Sequence, residues 1–114
     1  VSALWLKPVF TERKIVTPEG KVKKKVTKQL KELGAYYFFP FSGGYGKSGV
    51  PDIVGCFEGR FFGIECKAGK NTPTALQEKN LRDIAKAGGL SWVVNEDNAD
   101  DVTQALINET TPIP

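Results

Sequence analysis

The fold follows most directly from residues 50–67, which read VPDIVGCFEGRFFGIECK. Two strand-like apolar runs flank Glu58-Gly59, a pair that resembles a tight hairpin turn. If these two residues form the turn, the strand register places Asp52 directly opposite Glu65. Directly opposed residues share one face of a sheet, with Cα atoms roughly 4.5–5.5 Å apart. We therefore expect the two carboxylates to lie side by side.

The same register separates the two faces of the hairpin. Lys67 lies two residues beyond Glu65 and emerges on the carboxylate face, because strand side chains alternate. Gly63 also falls on this face, diagonal to Asp52, where we expect it to leave space beside the carboxylates. The opposite face is expected to be core and consists of Ile53, Phe57, Phe62, Ile64 and Cys66. A register slip of one residue would put the carboxylates on opposite faces.

Paired carboxylates of this kind suit a metal site. Two carboxylates held together in a partly buried place repel each other, and a divalent cation relieves the repulsion. Hard oxygen ligands favour Mg²⁺ or Mn²⁺, and such an ion stabilises charge on a scissile phosphate. Because the chain contains no His, Lys67 is the strongest candidate to orient or deprotonate the attacking water. The alternative is a salt-bridged surface cluster that contributes little.

Composition predicts one globular domain over residues 1–114. Hydrophobic residues make up 40% and charged residues 25% of the chain, values typical of a globular protein rather than a disordered one. No apolar run approaches the roughly 18 residues of a membrane span, and the apolar run at 1–6 is too short for a signal peptide. Cys56 and Cys66 are expected to be small core residues of a reduced protein, and no CxxC motif or His completes a zinc site. We therefore expect a cytoplasmic location.

The remaining elements are predicted from caps and periodicity, in the order α-β-β-β-α-β-α. Thr17 and Pro18 open a helix that ends at Gly34, with its apolar stripe at Val22, Val26, Leu30 and Leu33. Strands are expected at 35–41, 50–57, 60–67 and 90–94. Further helices are expected at 74–87, burying Leu76, Leu81, Ile84 and Ala85, and at 98–108. Residues 1–16 form an arm of unassigned structure, and the tail 109–114 is expected to fray.

Aromatic residues crowd the first predicted strand at Tyr36, Tyr37, Phe38, Phe39 and Phe41. We expect them to pack in the core, as does Trp92, since alternation buries one strand face and helices can cover the other. The alternative is that they stack on nucleic-acid bases.

Basic residues concentrate in the first predicted helix. Such a cluster attracts phosphate backbones, although a solvated helix face is the plainer interpretation. Gly46-Lys47-Ser48 lacks the upstream glycine of a phosphate-binding P-loop, which excludes a nucleotide cofactor at that motif. The predicted DNA contacts combine this loop with nearby lysines and are Tyr45, Lys47, Ser48, Lys70, Lys24 and Lys28.

Gly49-Val50-Pro51-Asp52 followed by Ile64-Glu65-Cys66-Lys67 resembles the motif of the PD-(D/E)XK nuclease superfamily. Within it, the chain is most similar to the virus-type replication-repair nuclease (VRR-Nuc) domain, from Glu19 to Val94. Glu19 at the start of the first helix, the Gly-rich segment 42–49 and Gln77 early in the second helix support the narrower match.

The resemblance implies a restriction-endonuclease-like αβββαβ core with a central mixed four-stranded sheet flanked by helices. It implies an endodeoxyribonuclease, a hydrolase of phosphodiester bonds, that uses Mg²⁺, with Mn²⁺ as a substitute. Asp52, Glu65 and the backbone carbonyl of Cys66 would bind metal, and Glu19 would assist directly or through water. Lys67 would be catalytic, and Gln77 would support the site or contact substrate.

Three functional classes follow from these observations. Standalone members of the resembled family look like homodimers that act on branched DNA in repair and recombination, including four-way (Holliday) junctions, and the family name suggests a phage origin. A general or restriction-type nuclease on linear duplex is the second class. A non-catalytic DNA-binding protein with the same fold is the third.

Overall fold

The computed structural model describes residues 16–41 and 47–110, which form a mixed four-stranded sheet flanked by helices. The strands are, in chain order, β1 (Tyr36–Phe38), β2 (Ile53–Phe57), β3 (Arg60–Cys66) and β4 (Leu90–Val94). The helices are α1 (Pro18–Leu33), α2 (Ala75–Lys86) and α3 (Val102–Thr110), the last preceded by a 3₁₀ turn at Ala99–Asp101. The α/β class and the element order confirm the prediction.

The β2–β3 hairpin has the register that the sequence predicts. Ile53 pairs with Ile64, and Phe57 pairs with Arg60 next to the turn. Glu58 and Gly59 have φ angles of 51° and 79°, and two positive φ angles are what a tight hairpin turn of the right twist requires.

The sheet order is β1-β2-β3-β4, and three of its strands are antiparallel neighbours. β2 pairs antiparallel with both β1 and β3, whereas β4 runs parallel to β3 and is reached through α2. A parallel pair needs such a crossover connection, which explains why a helix separates the last two strands in the sequence.

Both ends of α1 are determined by local sequence. Thr17 has the extended backbone of an N-cap, and its hydroxyl accepts a hydrogen bond of 3.0 Å from the Gly20 N–H. Gly34 ends the helix in the left-handed conformation at φ 77°. The predicted stripe is buried at Val22, Val26 and Leu30, with Leu33 partly buried.

The main core lies between one sheet face and the two helices α1 and α3. It contains the predicted hairpin residues Ile53, Phe62, Ile64 and Cys66, with Phe57 partly buried against them. Trp92 is also only partly buried there. Cys56, expected in the core, is exposed because strand alternation points it to the opposite face of the hairpin.

Helix α2 covers the other face of the sheet, where it packs on β3 and β4. Leu81 is buried and Ile84 is half-buried, as predicted, but Ala85 is exposed and Leu76 is 46% exposed, contrary to the prediction. The polar Asn80 occupies the buried side instead, and its amide donates to the carbonyls of Ser48 and Leu76. The helix is therefore rotated so that Asn80 anchors the chain before β2.

The predicted boundaries of β1 and β2 were too generous. β1 stops at Phe38, two residues before Pro40, which has no N–H to donate to a strand ladder. β2 begins only at Ile53 because Pro51 also lacks an N–H and Asp52 forms a bend. α3, by contrast, continues to Thr110, beyond the predicted end at 108.

The core assignment of the β1 aromatics is wrong for most of them. Tyr37 packs partly against the core, but four others are exposed: Tyr36 by 70%, Phe38 by 49%, Phe39 by 52% and Phe41 by 81%. β1 is an edge strand, and α2 packs on the far half of the sheet, so no helix covers both of its faces. In the described ranges 16–41 and 47–110, no helix is long and apolar enough to cross a membrane.

Candidate metal centre and active site

Three carboxylates converge at one end of the sheet. Glu19 comes from the first turn of α1, Asp52 from the bend before β2, and Glu65 from the penultimate residue of β3. One carboxylate oxygen of each lies within 4.8 Å of the other two. Three sequence positions that the resemblance linked are thus neighbours in space, and together they could hold a metal ion.

The hairpin positions Asp52 relative to the strand that carries Glu65. Asp52 precedes β2, and its Oδ2 accepts a hydrogen bond of 2.9 Å from the backbone N–H of Cys66. A side-chain oxygen thereby continues the pairing of β2 and β3 beyond the last backbone pair at Ile53 and Ile64. The sequence predicted that Asp52 and Glu65 are opposed, but it did not predict this hydrogen bond. The other carboxylate oxygen of Asp52, Oδ1, takes no part in the bond.

Glu65 is the most unusual carboxylate of the site. Its side chain is 2% exposed, and Oε1 is buried without a hydrogen-bond partner among the described residues. Burial, together with the negative charge of Asp52, raises the pKa of this carboxyl group to about 7 against the opposing effect of Lys67. A buried carboxylate oxygen with no partner is costly, and a cation is one group that would satisfy it.

Lys67 supplies a positive charge on the same side of β3. Its Nζ lies 3.3 Å from Glu65 Oε2, and its side chain is 14% exposed. The backbone N–H of Lys67 donates to the Val94 carbonyl, so the residue is fixed to β4 at its base. The predicted alternation, which placed Lys67 beside Glu65, is confirmed.

Cys66 separates these two residues, and its side chain points the other way. The thiol is fully buried in the core, and burial raises its pKa to about 12. A thiol that stays protonated is a poor nucleophile and a poor metal ligand. Any contribution of Cys66 to the site must therefore come from its backbone, as the resemblance implied.

Gln77 has a structural role in the capping box of α2. Its Oε1 accepts a hydrogen bond of 2.9 Å from the Thr74 N–H, while the Thr74 hydroxyl accepts from the Gln77 N–H. This reciprocal cap explains a glutamine three residues after a threonine without any catalytic function.

The space expected beside Gly63 is filled. A Cβ atom on Gly63 would lie 2.7 Å from Ile84 Cδ1 and 3.0 Å from Pro51 Cγ. Glycine at this position allows α2 to approach the sheet closely and leaves no opening for a substrate. The prediction failed because the sequence pattern of the hairpin contains no information about which helix covers it.

An open cavity of about 480 Å³ lies next to Glu19 instead. Its lining includes Ala68, Gly69, Asn71 and Glu96, none of which the sequence identified as site residues. The Glu96 carboxylate accepts hydrogen bonds from the Gly69 N–H. Hydrogen bonds from its own backbone N–H and from that of Gly69 lower the pKa of Glu96. Only the parallel pairing of β3 and β4, which aligns the ends of both strands, could have suggested that these residues meet.

The predicted DNA-contacting residues are all on the surface where the structure describes them. The exposed residues of this set are Lys24, Lys28, Lys47, Ser48 and Lys70. Tyr45 falls outside the described residues.

Comparisons with protein-family models, curated proteins and solved structures find no match to this chain. The function is therefore inferred from the site. Three carboxylates, a lysine ammonium group and an adjacent open cavity can bind a divalent cation and position a phosphate ester against a water molecule.

Proposed function

We propose that the chain is a divalent-metal-dependent DNA endonuclease of the PD-(D/E)XK type, with the restriction-endonuclease-like core of a VRR-Nuc domain. The single observation that carries the proposal is the buried Glu65 carboxylate, whose Oε1 has no hydrogen-bond partner among the described residues and which has an oxygen within 4.8 Å of carboxylate oxygens of Glu19 and Asp52. The alternative of a surface salt-bridge cluster does not fit Glu65, whose side chain is 2% exposed.

The donor set fits a hard cation. Glu19, Asp52 and Glu65 offer oxygen ligands, which Mg²⁺ and Mn²⁺ prefer, and no His or thiolate competes for a softer metal. When bound, such an ion supplies positive charge to a phosphodiester group and lowers the pKa of water. Asp52 and Glu65 would be its principal ligands, with Glu19 contributing from the more exposed side.

Lys67 would act on the attacking water. Its ammonium group is held 3.3 Å from Glu65 Oε2, so the carboxylate orients the lysine side chain while the other oxygen, Oε1, remains available. Lys67 can then donate a hydrogen bond that orients the water or stabilise the charge that develops on the phosphate. This role needs no titration of Lys67 itself.

Exposed positive charge on the surface supports DNA as the substrate. The outer surface of α1 carries the exposed Lys24 and Lys28, and Lys47 and Lys70 are exposed on the segments before β2 and after β3. Lysines of this kind bind phosphate backbones without reading sequence. We propose branched DNA as the preferred substrate and a homodimer as the acting species, because paired sites match a symmetric junction.

A cleavage panel tests the proposal. The full chain is incubated with linear duplex, single strands, flaps and four-way junctions in Mg²⁺, Mn²⁺ or EDTA. We expect cleavage only with a divalent ion and faster cleavage of branched substrates. Equal cleavage of all substrates would indicate a general nuclease, and binding without cleavage in every metal would reject the enzyme. Size-exclusion chromatography with light scattering measures the dimer separately.

A further inference from the structure

The exposed aromatic residues of β1 and the segment after it are not used by the proposed chemistry. Isolated apolar side chains on a surface are normal, but contiguous ones indicate a binding surface. Four exposed rings lie within six residues, Tyr36, Phe38, Phe39 and Phe41. Strand alternation puts the Tyr36–Phe38 pair and the Tyr37–Phe39 pair on opposite faces of the strand. Of these, Phe39 is the one whose ring is held in place by described contacts on the α1 side of the sheet.

Two neighbours fix the Phe39 ring. The Lys23 ammonium group lies 5.4 Å from the ring centroid, and the ring of Tyr37 meets it edge-on with centroids 6.1 Å apart. Tyr37 is itself partly buried against the core, so it braces Phe39 from within the protein. Phe39 nevertheless remains 52% exposed. A braced, half-exposed ring beside an ammonium group suits a flat, electron-rich ligand attached to a negative charge.

Phe39 and Lys23 lie towards the end of the sheet at which the carboxylates converge. Phe38 pairs with Val54 in the antiparallel ladder. The chain at Phe39 therefore runs towards the level of Ile53, which adjoins Asp52 in the sequence. Two strand spacings, on the order of 10 Å, separate β1 from the strand of Glu65. On α1, Lys23 lies one turn beyond Glu19 and therefore on the same side of the helix.

The flanks of α1 differ in what they contact. Lys25 and Gln29, on the flank away from Phe39, contact Asp100 and Thr103 in the elements that pack beside α1. Lys23 instead extends towards β1, where it contacts Phe39. A nucleic-acid strand leaving the metal centre would meet positive charge and an aromatic ring on this second flank.

We propose that Phe39 stacks on an unpaired nucleobase next to the cleaved phosphodiester, with Lys23 binding a phosphate of the same strand. This inference rests on the proposed nuclease function and names its substrate more closely. A base cannot stack on a protein side chain while it is paired and stacked in a duplex, so the substrate has an unpaired nucleotide at the cut site, such as a flap or a branch point.

Binding and stacking can be measured without cleavage. The probe is a duplex with a single-stranded flap whose first unpaired base is 2-aminopurine, and the matched probe carries 2-aminopurine inside the duplex. The full chain is titrated in EDTA, where no metal-dependent cutting occurs. We expect quenching of the flap probe only, and we expect Phe39→Leu to abolish it and weaken binding by about 5- to 150-fold. Phe39→Trp should retain the quenching.

Matched variants separate stacking from other roles of this surface. Phe61→Leu removes a ring of similar exposure, 46%, from the start of β3 and should leave quenching and affinity unchanged. Lys23→Gln should weaken binding and lower the slope of log affinity against log salt by about 0.7, the value for one phosphate of a single strand. Circular dichroism checks that every variant is folded.

Each result bears on the proposal. Wild-type quenching that survives in Phe39→Leu, or no quenching of the flap probe by the wild type, would overturn it. So would a change from dimer to monomer in Phe39→Leu, since this would assign the ring to an interface between two copies. Quenching that depends on Phe39 in a protein that cuts nothing with Mg²⁺ or Mn²⁺ would support the stacking site and reject only the nuclease chemistry.

Discussion

The carboxylate end of the β2–β3 hairpin and the aromatic segment of β1 belong to one sheet, yet the large hydrophobic residues expected in the core are buried in only one of them. In the hairpin, Ile53, Phe62 and Ile64 are fully buried, as alternation predicts. In β1, Tyr36 and Phe38 are large and aromatic but exposed by 70% and 49%. The two regions differ in their position in the sheet, not in the hydrophobicity of their residues.

The difference teaches that alternation predicts which side chains share a face, whereas burial depends on what covers that face. β2 and β3 have α1 and α3 on one side, and α2 packs on β3 and β4 on the other. β1 is an edge strand. An exposed aromatic ring at this edge is therefore available for a ligand, while burial raises the pKa of a carboxyl group brought beneath neighbouring elements, as Glu65 is.

The largest effect, on DNA cleavage, is expected when a proposed metal ligand at the end of the hairpin is replaced. Asp52→Asn keeps an oxygen that can accept from the Cys66 N–H but removes the charge. We expect DNA cleavage to fall at least about a thousandfold, because charge stabilisation by the cation is lost. Single-turnover cleavage rates measure this. Glu58→Gln, at the exposed hairpin turn, is the control and should cut normally. Near-normal cleavage by Asp52→Asn would remove Asp52 from the site.

Lys67→Met tests the ammonium group while it retains the length of the side chain. We expect cleavage to fall by about 10²- to 10⁴-fold, the usual range for a group that assists proton transfer or holds developing charge. DNA affinity measured by fluorescence anisotropy should be mostly unchanged, because Lys67 is 14% exposed and pairs with Glu65. Lys86→Met, at the exposed end of α2, serves as a control. A parallel loss of binding and cleavage would instead make Lys67 a DNA contact.

The buried Glu65 should make stability depend on pH. Its pKa is raised from 4.5 to about 7 in the folded, metal-free protein, so the folded state binds the proton more tightly than the unfolded state. The free energy of unfolding should therefore fall as pH rises from about 4.5 to about 7, by on the order of 2–4 kcal/mol. Urea denaturation of the wild type minus Glu65→Gln isolates this contribution.

Saturating Mg²⁺ should reduce the same pH dependence, because a cation at the carboxylates favours the ionised form of Glu65. Glu78→Gln, on the exposed surface of α2, is the matched control. It should leave unaltered the difference between the pH–stability curves measured with and without Mg²⁺. A wild-type protein that gains stability over Glu65→Gln as the pH rises would contradict the assigned burial effect.

Local chemistry explains which features could be predicted from the sequence. The caps of α1, the Glu58-Gly59 turn and the Asp52–Glu65 register depend on residues that are close in sequence, and all three are confirmed. The family resemblance predicted that Glu19 lies close to this pair. The structure brings the three carboxylates together.

Long-range packing explains the failures. The exposure of Phe38 depends on where helices lie relative to an edge strand, and the filled space at Gly63 depends on how α2 is rotated against β3. The meeting of Glu96 with Gly69 requires the parallel alignment of β3 and β4. The periodicity of a single segment predicts none of these features, because each depends on residues from different elements.

The smallest effect is expected at the exposed face of β1, and it tests the comparison directly. Phe38→Ala should change the free energy of unfolding by no more than about 0.5–1 kcal/mol, because half of the ring is already in water. Phe62→Ala, at a fully buried position of β3, should cost about 3–5 kcal/mol. Urea denaturation of the metal-free protein gives both values. Equal losses would mean that Phe38 is covered in solution, and the contrast between hairpin and edge strand would fail.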